Sequence, residues 1–596
     1  MCGIHVSVSS TAFQPPSTDL RQLLSKRGPD HLAEAQSKIV VEGGVTYFVS
    51  LTSTVLALRG GQVRPQPFHD SASGCSLCWN GEAWRVASSL VTGNDGQMIF
   101  ELLCKASSVY SSAADSISAV LTVLRGISGP FAFVFLDGSH GLLYFGRDRL
   151  GRRSLLYNSE LLPGTVALSS CADSANRAWK EVEADGIYQI SLRDQDKPIE
   201  GVNGSDMLST FMAGCQRHLW MVQDSSSPTS SLGKFNRELP LDSKPLNCRS
   251  PSVEQLRWLL NESLKLRILN VPTPPKIVQC HNVRVAVLFS GGLDCTVLAR
   301  MAHDMLPPDQ EIDLLNVAFE NPRSIRAAKI TTQSKKQRSS SPLDSAYTQS
   351  IGHAVEDSTT SPSCYELCPD RQTGRRAFRE LRTVCPGRIW RFIAVDVPYE
   401  ETLSHRERVV GLISPHNTEM DLSIAYALYF ASRGTGLAST SDEYGSVKYS
   451  TPARVLLSGL GADELFGGYT RHTTAFRRNG FPALLDELEL DVNRLGKRNL
   501  GRDDRVISYW SREARFPYLD ENFVEWAVER PVWEKCGFRE GSTEHAHDSE
   551  DPRIDPEKKV LRLLAYELGM HSVAVEKKRA VRAFLSFHRR LLTAMQ

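Results

Sequence analysis

The change in hydrophobic pattern near residue 283 is the feature that most constrains the fold of this chain. After that point, segments of helical periodicity alternate with four apolar runs, VRVAVLFS, EIDLLNVAF, WRFIAVDV and ARVLLSG. Strands that alternate with helices form a parallel sheet with helices on its faces. Before about residue 185, short β-branched and aromatic runs are separated by DG and GG turns, which is typical of antiparallel hairpins. The pattern predicts an α+β unit followed by an α/β unit.

The length of the chain agrees with more than one domain. Its 596 residues exceed the roughly 100 to 200 of a single domain. We predict an antiparallel unit over residues 1–185, a partly disordered connecting segment over 186–255, and a parallel-sheet unit over 256–596. A polar, serine-rich stretch near 323–375 has too few apolar residues for a core and predicts an insertion within the second unit.

Charge and cysteine content exclude several classes of function. The 69 Lys and Arg residues balance 68 Asp and Glu, so we expect neither a nucleic-acid partner nor a membrane partner. There is no apolar run of about 18 residues and no signal-peptide pattern, and 13 scattered cysteines suit free thiols. The pairs Cys75/Cys78 and Cys364/Cys368 lack partner pairs at zinc-finger spacing. We expect a cytoplasmic protein that acts on small molecules.

The first candidate nucleophile is Cys2, in MCGIHVSVSS. Removal of Met1 would leave a thiol and an α-amine on one residue, and an amine with a pKa near 8 can accept the thiol proton. Attack on an amide carbon creates an oxyanion that needs two donors. Asn80 and Gly81 in WNGEAW offer a side-chain amide and a backbone N–H at adjacent positions. The pattern therefore suits amide hydrolysis, although a cysteine at position 2 can also be incidental.

Three charged residues suit the remaining groups of a glutamine molecule. Arg59 in LALRG can pair with a carboxylate, and Glu82 and Asp95 can hold an ammonium group. Each has an ordinary alternative, since Arg59 can be a surface charge and Asp95, in TGNDG, a turn residue. Together they indicate a glutamine site.

A second candidate site lies in VAVLFSGGLDCTVLARMA, which predicts a strand, a glycine turn and a helix start. Backbone N–H groups and the helix dipole make such a turn suitable for a phosphate, and glycine permits positive φ. Asp294 suits a site where Mg²⁺ bridges the carboxylate to the phosphates. The alternative is a tight strand-to-helix turn in which Asp294 is only a cap.

Several motifs, taken in order, resemble known families. The series MCGI, RGPD, LRG, WNGE, TGND and GRDRLG resembles the class II glutamine amidotransferase domain. SGGLD resembles the pyrophosphate loop of ATP pyrophosphatases, and RVLLSGLGADELFGGYTRH, EMDLSIAYALYFASRG and SREARFPYLD resemble the asparagine synthetase family. The resemblance implies an N-terminal-nucleophile four-layer αββα domain followed by an adenine nucleotide α-hydrolase-like parallel-sheet domain.

The resemblance also implies a set of site residues and ligands. The implied catalytic residues are Cys2, Asn80, Gly81 and Lys578. Glutamine would be held by Arg59, Asn80, Gly81, Glu82 and Asp95. ATP would be held by Phe289, Ser290, Gly291, Gly292, Asp294, Cys295, Val317, Ser458 and Gly459, and Mg²⁺ by Asp294 and Asp463. The implied ligands are glutamine, ATP, Mg²⁺ and a carboxylate substrate, with aspartate as the expected acceptor.

Three departures from the family pattern affect the expected activity. Leu460 stands where the S-G-E-G signature has glutamate, Cys295 stands where serine is usual, and the sequence after Lys578 differs from the family's K-E-Q-F-like loop. Loss of a positioned base typically costs about 10²- to 10⁴-fold in rate. Three hypotheses remain open: a glutamine-dependent synthetase, an enzyme that forms a different amide, and a pseudo-enzyme that binds ligands or acts as a scaffold.

Overall fold

The computed structural model describes residues 2–41, 45–109, 112–162, 164–173, 178–193, 214–221, 233–240, 245–273, 281–322, 363–441, 445–539 and 554–577. Lys578 and most of the predicted insertion lie outside these residues. In the described part of the chain, no helix has the length and apolar character needed to cross a membrane.

The amino-terminal unit contains two six-stranded antiparallel sheets. The first consists of β1 (Gly3–Ser9), β2 (His31–Val40), β3 (Thr46–Val55), β11 (Leu156–Leu162), β12 (Thr165–Ser169) and β13 (Lys180–Glu181), in the order β13-β11-β12-β1-β3-β2. The second consists of β4 (Phe68–Asp70), β5 (Cys75–Gly81), β9 (Phe131–Asp137), β10 (Leu142–Arg147), β14 (Gly186–Ser191) and β15 (Gln216–Leu219), in the order β15-β14-β10-β9-β5-β4. A small sheet contains β6 (Arg85–Val86), β7 (Ser89–Leu90) and β8 (Ile127–Ser128).

The boundary predicted at residue 185 is too early. Both β14 and β15 lie in the predicted connecting segment, yet they extend the second antiparallel sheet beside β10. Both faces of β14 are covered, since Ile187 and Ile190 belong to different buried cores, so this strand lies inside the sheet with a backbone partner on each side.

Apolar side chains fill the space between the two sheets. Val6 on β1 and Leu51 on β3 share a core with Val134 on β9 and Leu143 on β10. Helices α2 (Asp95–Ser108) and α3 (Ala113–Arg125) belong to a second core with β5 and β9, while α1 (Thr18–Arg27) packs with β3 and β1. The Asn94 side chain accepts a hydrogen bond from Gln97 N, so it caps α2 and makes Asp95 its first residue.

The carboxyl-terminal unit is built on a seven-stranded sheet in the order β20-β19-β18-β17-β16-β21-β22. The strands are β16 (Val283–Leu288), β17 (Glu311–Phe319), β18 (Trp390–Val397), β19 (Thr435–Ser439), β20 (Val447–Ser450), β21 (Val455–Leu457) and β22 (Glu513–Arg515). The pairs from β18 to β22 are parallel, as the four apolar runs predicted, and β19 and β20 add an antiparallel edge. The mixed α/β architecture with several sheets agrees with the prediction.

Helices surround this sheet. They are α4 (Pro251–Ile268), α5 (Leu293–Met305), α6 (Pro369–Val384), α7 (Tyr399–Ser404), α8 (Arg406–Ile413), α9 (Glu419–Arg433), α10 (Ala462–Leu465), α11 (Thr470–Arg498), α12 (Leu500–Ser508), α13 (Glu521–Glu529), α14 (Lys559–Glu567) and α15 (His571–Val575). Two boundaries differ from the sequence prediction. Helix α4 begins before residue 256 with a proline in its first turn, and α6 begins inside the predicted insertion because its buried face, including Phe378, packs into the core.

Buried ion pairs join the two units. Each pair has one partner in the antiparallel unit and one in the parallel-sheet unit. They are Arg27–Asp504, Asp30–Arg454, Glu82–Arg515, Arg152–Glu521, Arg153–Glu513 and Glu181–Arg505. Because a buried charge without its partner is costly, these pairs fix how the two units face each other.

We predict that Glu521→Gln alters the acid stability of the protein. Burial by itself raises the pKa of Glu521, but Arg152 and the Gly129 N–H outweigh it and lower the pKa from 4.5 to about 2. A lowered pKa means that this stabilisation is present above pH 4.5 and is lost as the pH falls toward 2, up to about 3 kcal/mol in total. The variant should therefore be less stable at pH 7 and lose less stability between pH 4.5 and 2.

Urea unfolding across this pH range measures the effect. Glu34→Gln is the control, because Glu34 forms an exposed pair with Arg21 and its loss should change stability by less than about 1 kcal/mol. Parallel acid profiles for wild type and Glu521→Gln would contradict the prediction.

Candidate active site

Four of the five predicted glutamine-binding residues line one pocket beside Cys2, and the fifth, Asn80, directly precedes Gly81. The pocket is lined by, among others, Cys2, Arg59, Gln66, Gly81, Glu82 and Asp95. Cys2 lies directly before β1 and is buried. The pocket wall also contains Glu513, on β22 of the parallel-sheet unit. Glu513 has no local sequence signal, because nothing in a short strand relates it to a pocket whose other residues lie hundreds of positions earlier in the chain.

The end of β5 carries Asn80 and Gly81, the two residues that the sequence predicts as oxyanion donors. Asn80 is fully buried, yet neither atom of its side-chain amide has a hydrogen-bond partner within the described residues. Gly81 has φ +153°, and a Cβ atom there would lie 2.1 Å from the carbonyl oxygen of Pro130, so only glycine fits. The preceding Trp79 stacks on Phe131 with ring centroids 5.0 Å apart, which holds the strand end in place. The Asn80 amide therefore has unused hydrogen-bonding capacity within the described residues, although Asn80 itself is not among the residues that line the pocket.

Arg59 and Asp95 also hold the segment that closes the pocket. Arg59 donates to the carbonyl oxygens of Ala83 and Val91 over 2.5 and 2.6 Å. One carboxylate oxygen of Asp95 accepts from Ala83 N at 2.8 Å and from Trp79 Nε1 at 3.1 Å. These contacts leave part of each charged group for a ligand, so both residues can shape the pocket and bind in it.

Burial is the main reason why the surroundings of Cys2 do not favour a thiolate. Burial raises the pKa of its thiol, the positive charge at the amino terminus and the backbone N–H of Leu56 lower it, and the carboxylates of Asp95 and Glu513 raise it to a smaller extent. The Cys2 carbonyl accepts a hydrogen bond from Arg27 Nε at 3.3 Å. A base that acts directly on the thiol is therefore needed, and the α-amine of Cys2 would supply one once Met1 is removed.

The second site begins at the loop between β16 and α5. Gly291 has φ +80°, and a Cβ atom there would lie 2.5 Å from the backbone of Gly374 on α6. Gly292 forms the N-cap of α5, and Asn316 Nδ2 donates to the Phe289 carbonyl at 2.9 Å. Cys295 Sγ donates a hydrogen bond to the Gly292 carbonyl at 3.3 Å, so the thiol bonds to the backbone of its own loop. The loop leads into a helix N-terminus that suits a phosphate.

Asp294 and Asp463 lie close together, as predicted. Lys558 Nζ is 2.7 Å from an oxygen of Asp294 and 2.6 Å from an oxygen of Asp463. Burial lowers the pKa of Lys558, but the two carboxylates outweigh it and raise the pKa above the usual value. Lys558 was not among the predicted site residues, since its only local signal is a pair of lysines before an apolar helix.

Small residues allow the second loop to approach the first. A Cβ atom at Gly459 would lie 2.8 Å from Asp294 Cβ, and one at Gly468 would lie 2.0 Å from an oxygen of Asp463. Ser458 and Gly459 follow β21, and Val317 lies near the end of β17, so these predicted nucleotide residues share the carboxyl edge of the sheet with the pyrophosphate-type loop.

Leu460 lies in the loop between β21 and α10, and its apolar side chain makes no hydrogen bond. It is partly buried and packs against the large core of the parallel-sheet unit, while its backbone N–H donates to Ser458 Oγ at 3.4 Å. Lys578, the residue of this unit that was predicted to be catalytic, lies outside the described residues.

Comparison with known proteins assigns the family. A family model described as asparagine synthase matches residues 444–486 and 482–591. Asparagine synthetase domain-containing protein 1 of Bos taurus is 33% identical over 642 residues, covering 98% of this chain and 94% of that protein. The protein of the same name from Mus musculus is 34% identical over 640 residues, covering 98% and 96%. The chain belongs to the asparagine synthetase domain-containing protein 1 family.

In this member of the asparagine synthetase domain-containing protein 1 family, buried charges connect the two units beside the Cys2 pocket. Arg515 on β22 binds Glu82 in the pocket wall and also Glu513, with Arg515 Nε 2.8 Å from Glu513. Glu513 in turn pairs with Arg153 at 3.1 Å. Glu82 keeps one oxygen without a hydrogen-bond partner in the described part of the chain. The pocket wall is therefore shared between the two units.

We predict that Lys558→Met destabilises the protein by roughly 3–5 kcal/mol, because two neighbouring carboxylates lose their shared counter-charge. The raised pKa of Lys558 means that its contribution is fully present below the ordinary lysine value of 10.5 and is lost as the pH rises above it. Urea unfolding at pH 7 measures the loss.

The matched control is Lys265→Met, which removes an exposed pair with Glu262 and should cost less than about 1 kcal/mol. Equal stabilities for the two variants would show that Asp294 and Asp463 do not depend on Lys558.

Proposed function

We propose that this protein is a glutamine-dependent amidotransferase of the asparagine synthetase type. The observation that carries the proposal is the pocket that brings Cys2, Arg59, Gly81, Glu82 and Asp95 together next to Asn80, whose amide has no hydrogen-bond partner among the described residues. The packing of two antiparallel sheets, with α1 on the outside of one and α2 and α3 on the outside of the other, supports an N-terminal-nucleophile αββα arrangement.

The first half-reaction would release ammonia from glutamine. The α-amine of Cys2 accepts the thiol proton, and the thiolate attacks the side-chain amide carbon to form a carbon–sulfur bond. Asn80 Nδ2 and the Gly81 N–H donate to the oxyanion that develops. The protonated amine then gives its proton to the leaving ammonia, and water hydrolyses the thioester to glutamate and free Cys2. Arg59 would hold the substrate carboxylate, and Glu82 and Asp95 its ammonium group.

The second half-reaction would use ATP to activate a carboxylate, with aspartate as the proposed acceptor. The residues present suit Mg²⁺–ATP, because two carboxylates converge beside a glycine loop and a helix N-terminus. Asp294 and Asp463 would hold Mg²⁺, which neutralises phosphate charge when bound, and Lys558 would turn from these carboxylates toward the pyrophosphate. The substrate carboxylate displaces pyrophosphate from the α-phosphorus, and ammonia then displaces AMP from the acyl carbon.

A second candidate function follows from Leu460. A side chain that packs against the core and carries no acceptor cannot take the proton that ammonia loses on attack. Nucleotide binding does not need that acceptor, so a protein that binds ATP without efficient synthesis, or one that forms another amide, is the alternative. Assays for AMP, pyrophosphate and asparagine with glutamine, aspartate and Mg²⁺–ATP distinguish these functions.

We predict that Cys2→Ala abolishes glutamine hydrolysis and leaves Mg²⁺–ATP binding unchanged within about twofold, because the thiol lies in a different unit from Asp294 and Asp463. Glutamate release and nucleotide titration measure the two effects.

The same experiment includes the mass of the isolated chain. A chain that retains Met1 yet hydrolyses glutamine would contradict the role of the α-amine. Hydrolysis by Cys2→Ala would remove Cys2 as the nucleophile.

We predict that Leu460→Glu increases asparagine formation, by about tenfold or more, while the affinity for ATP changes little. Glutamate has roughly the volume of leucine and supplies an acceptor in the transition state, so the gain should fall on turnover. Leu460→Gln is the matched control, because it has the same shape without a base.

Steady-state rates with ammonia in place of glutamine isolate this step from the Cys2 half-reaction. Equal rates for the Glu and Gln variants would show that a carboxylate at position 460 is not the missing group.

A further inference from the structure

Gln66 lies against the thiol of Cys2, and no role follows for it from the sequence motifs. It is buried, and it contacts Cys2, directly before β1, and Trp79 on β5. Its Oε1 accepts a hydrogen bond from Trp79 N at 3.0 Å, and its Nε2 lies 3.8 Å from Cys2 Sγ, within the range of an N–H···S hydrogen bond.

The contact with Trp79 fixes which end of the amide faces the thiol. A backbone N–H can only donate, so the atom of Gln66 that meets Trp79 N must be the oxygen. The NH₂ group therefore points at Cys2 Sγ and offers a donor there. Reversing the amide would place two donors against each other at Trp79 and an oxygen against the sulfur.

A hydrogen-bond donor beside Cys2 Sγ counteracts the influences that raise the pKa of the thiol. Burial raises the pKa of the thiol, and the carboxylates of Asp95 on α2 and Glu513 on β22 raise it further. The groups that oppose them are the positive charge at the chain's amino terminus and the backbone N–H of Leu56, which follows β3. Hydrogen bonds to the charged form of a buried group stabilise that form, so the Gln66 amide favours the thiolate.

The same amide connects the nucleophile to the strand that carries the oxyanion donors. Trp79 directly precedes Asn80 and Gly81 at the end of β5. One side chain thus holds the sulfur and the oxyanion donors at a fixed separation, which is the geometry that attack on a carbonyl carbon requires.

We propose that Gln66 is a catalytic residue that donates a hydrogen bond to the Cys2 thiolate and sets its distance from the end of β5. This inference rests on the proposed role of Cys2. Asn80 and Gly81 would donate to the oxyanion, and Gln66 adds a third donor, which acts on the sulfur.

The test measures the thiol directly, with the full-length chain. Iodoacetamide alkylation of Cys2 is followed by mass spectrometry between pH 5 and 10, in wild type, Gln66→Met, Gln66→Glu and the control Gln22→Met. Gln22 is an exposed amide on α1, away from the residues that line the pocket. Gln66→Glu retains an oxygen for Trp79 N, so it preserves the fold if the methionine variant does not.

The expected result is a roughly tenfold slower alkylation at pH 7 in Gln66→Met, with a higher apparent pKa of Cys2. Gln66→Glu should be slower still, because a carboxylate repels the thiolate. In glutamine hydrolysis, both Gln66 variants should lower kcat more than they change KM, and Gln22→Met should match wild type.

Unchanged alkylation rates and pH profiles in both Gln66 variants would overturn the inference, since a merely structural residue does not shift the thiol titration. Failure of the proposed function has a different signature, in which wild type shows the Gln66-dependent alkylation but hydrolyses no glutamine. That outcome would retain Gln66 as a donor to the thiolate and reject the amidotransferase.

Discussion

The arrangement of the two units depends most on the buried hydrogen bonds and ion pair of Arg27. Its guanidinium binds Asp504 at 2.7 Å and Ser508 at 2.6 Å on α12, and the carbonyl of Cys2 at 3.3 Å. Removing such a group from water costs several kcal/mol, which is recovered only when all these partners are in place. The backbone of the candidate nucleophile is therefore positioned by a residue that also requires the parallel-sheet unit to be docked.

The candidate nucleotide site depends on a different constraint, the close approach of backbones. Gly291 meets α6, Gly459 meets Asp294, and Gly468 meets Asp463 at distances that leave no room for a Cβ atom. Two carboxylates brought this close repel each other, and Lys558 offsets that repulsion. The loop glycines and Lys558 thus act together. The glycines allow the two carboxylates to lie close to each other, and Lys558 neutralises their charge.

In the proposed mechanism, Leu460 would lower the rate of amide formation without weakening nucleotide binding. The groups that would hold a nucleotide are backbone N–H groups, two carboxylates and an ammonium group, and Leu460 disturbs none of them. A transition-state proton transfer, by contrast, needs an acceptor at the point of attack. Membership of the family therefore accounts for the architecture of the site, whereas the rate of a reaction there would depend on the residue at position 460.

Local pattern determined much of this protein from the sequence alone. The apolar runs defined β16, β17, β18 and β21, because strands buried on both faces have no polar alternation. The glycine turns located both candidate loops, since few residues other than glycine adopt positive φ. The antiparallel hairpins of the first unit were likewise visible as alternation between turns.

Only the tertiary structure decided which distant groups meet. Gln66 at Cys2, Glu513 in the pocket wall, and Lys558 between two carboxylates are contacts between segments separated by tens to hundreds of residues. Periodicity records which face of an element is buried, but a polar side chain that is buried against a partner elsewhere in the chain leaves no periodic signal. The boundaries at 185 and 256 were misplaced for the same reason, because β14 and β15 are defined by their pairing beside β10 and α4 by its packing against α14.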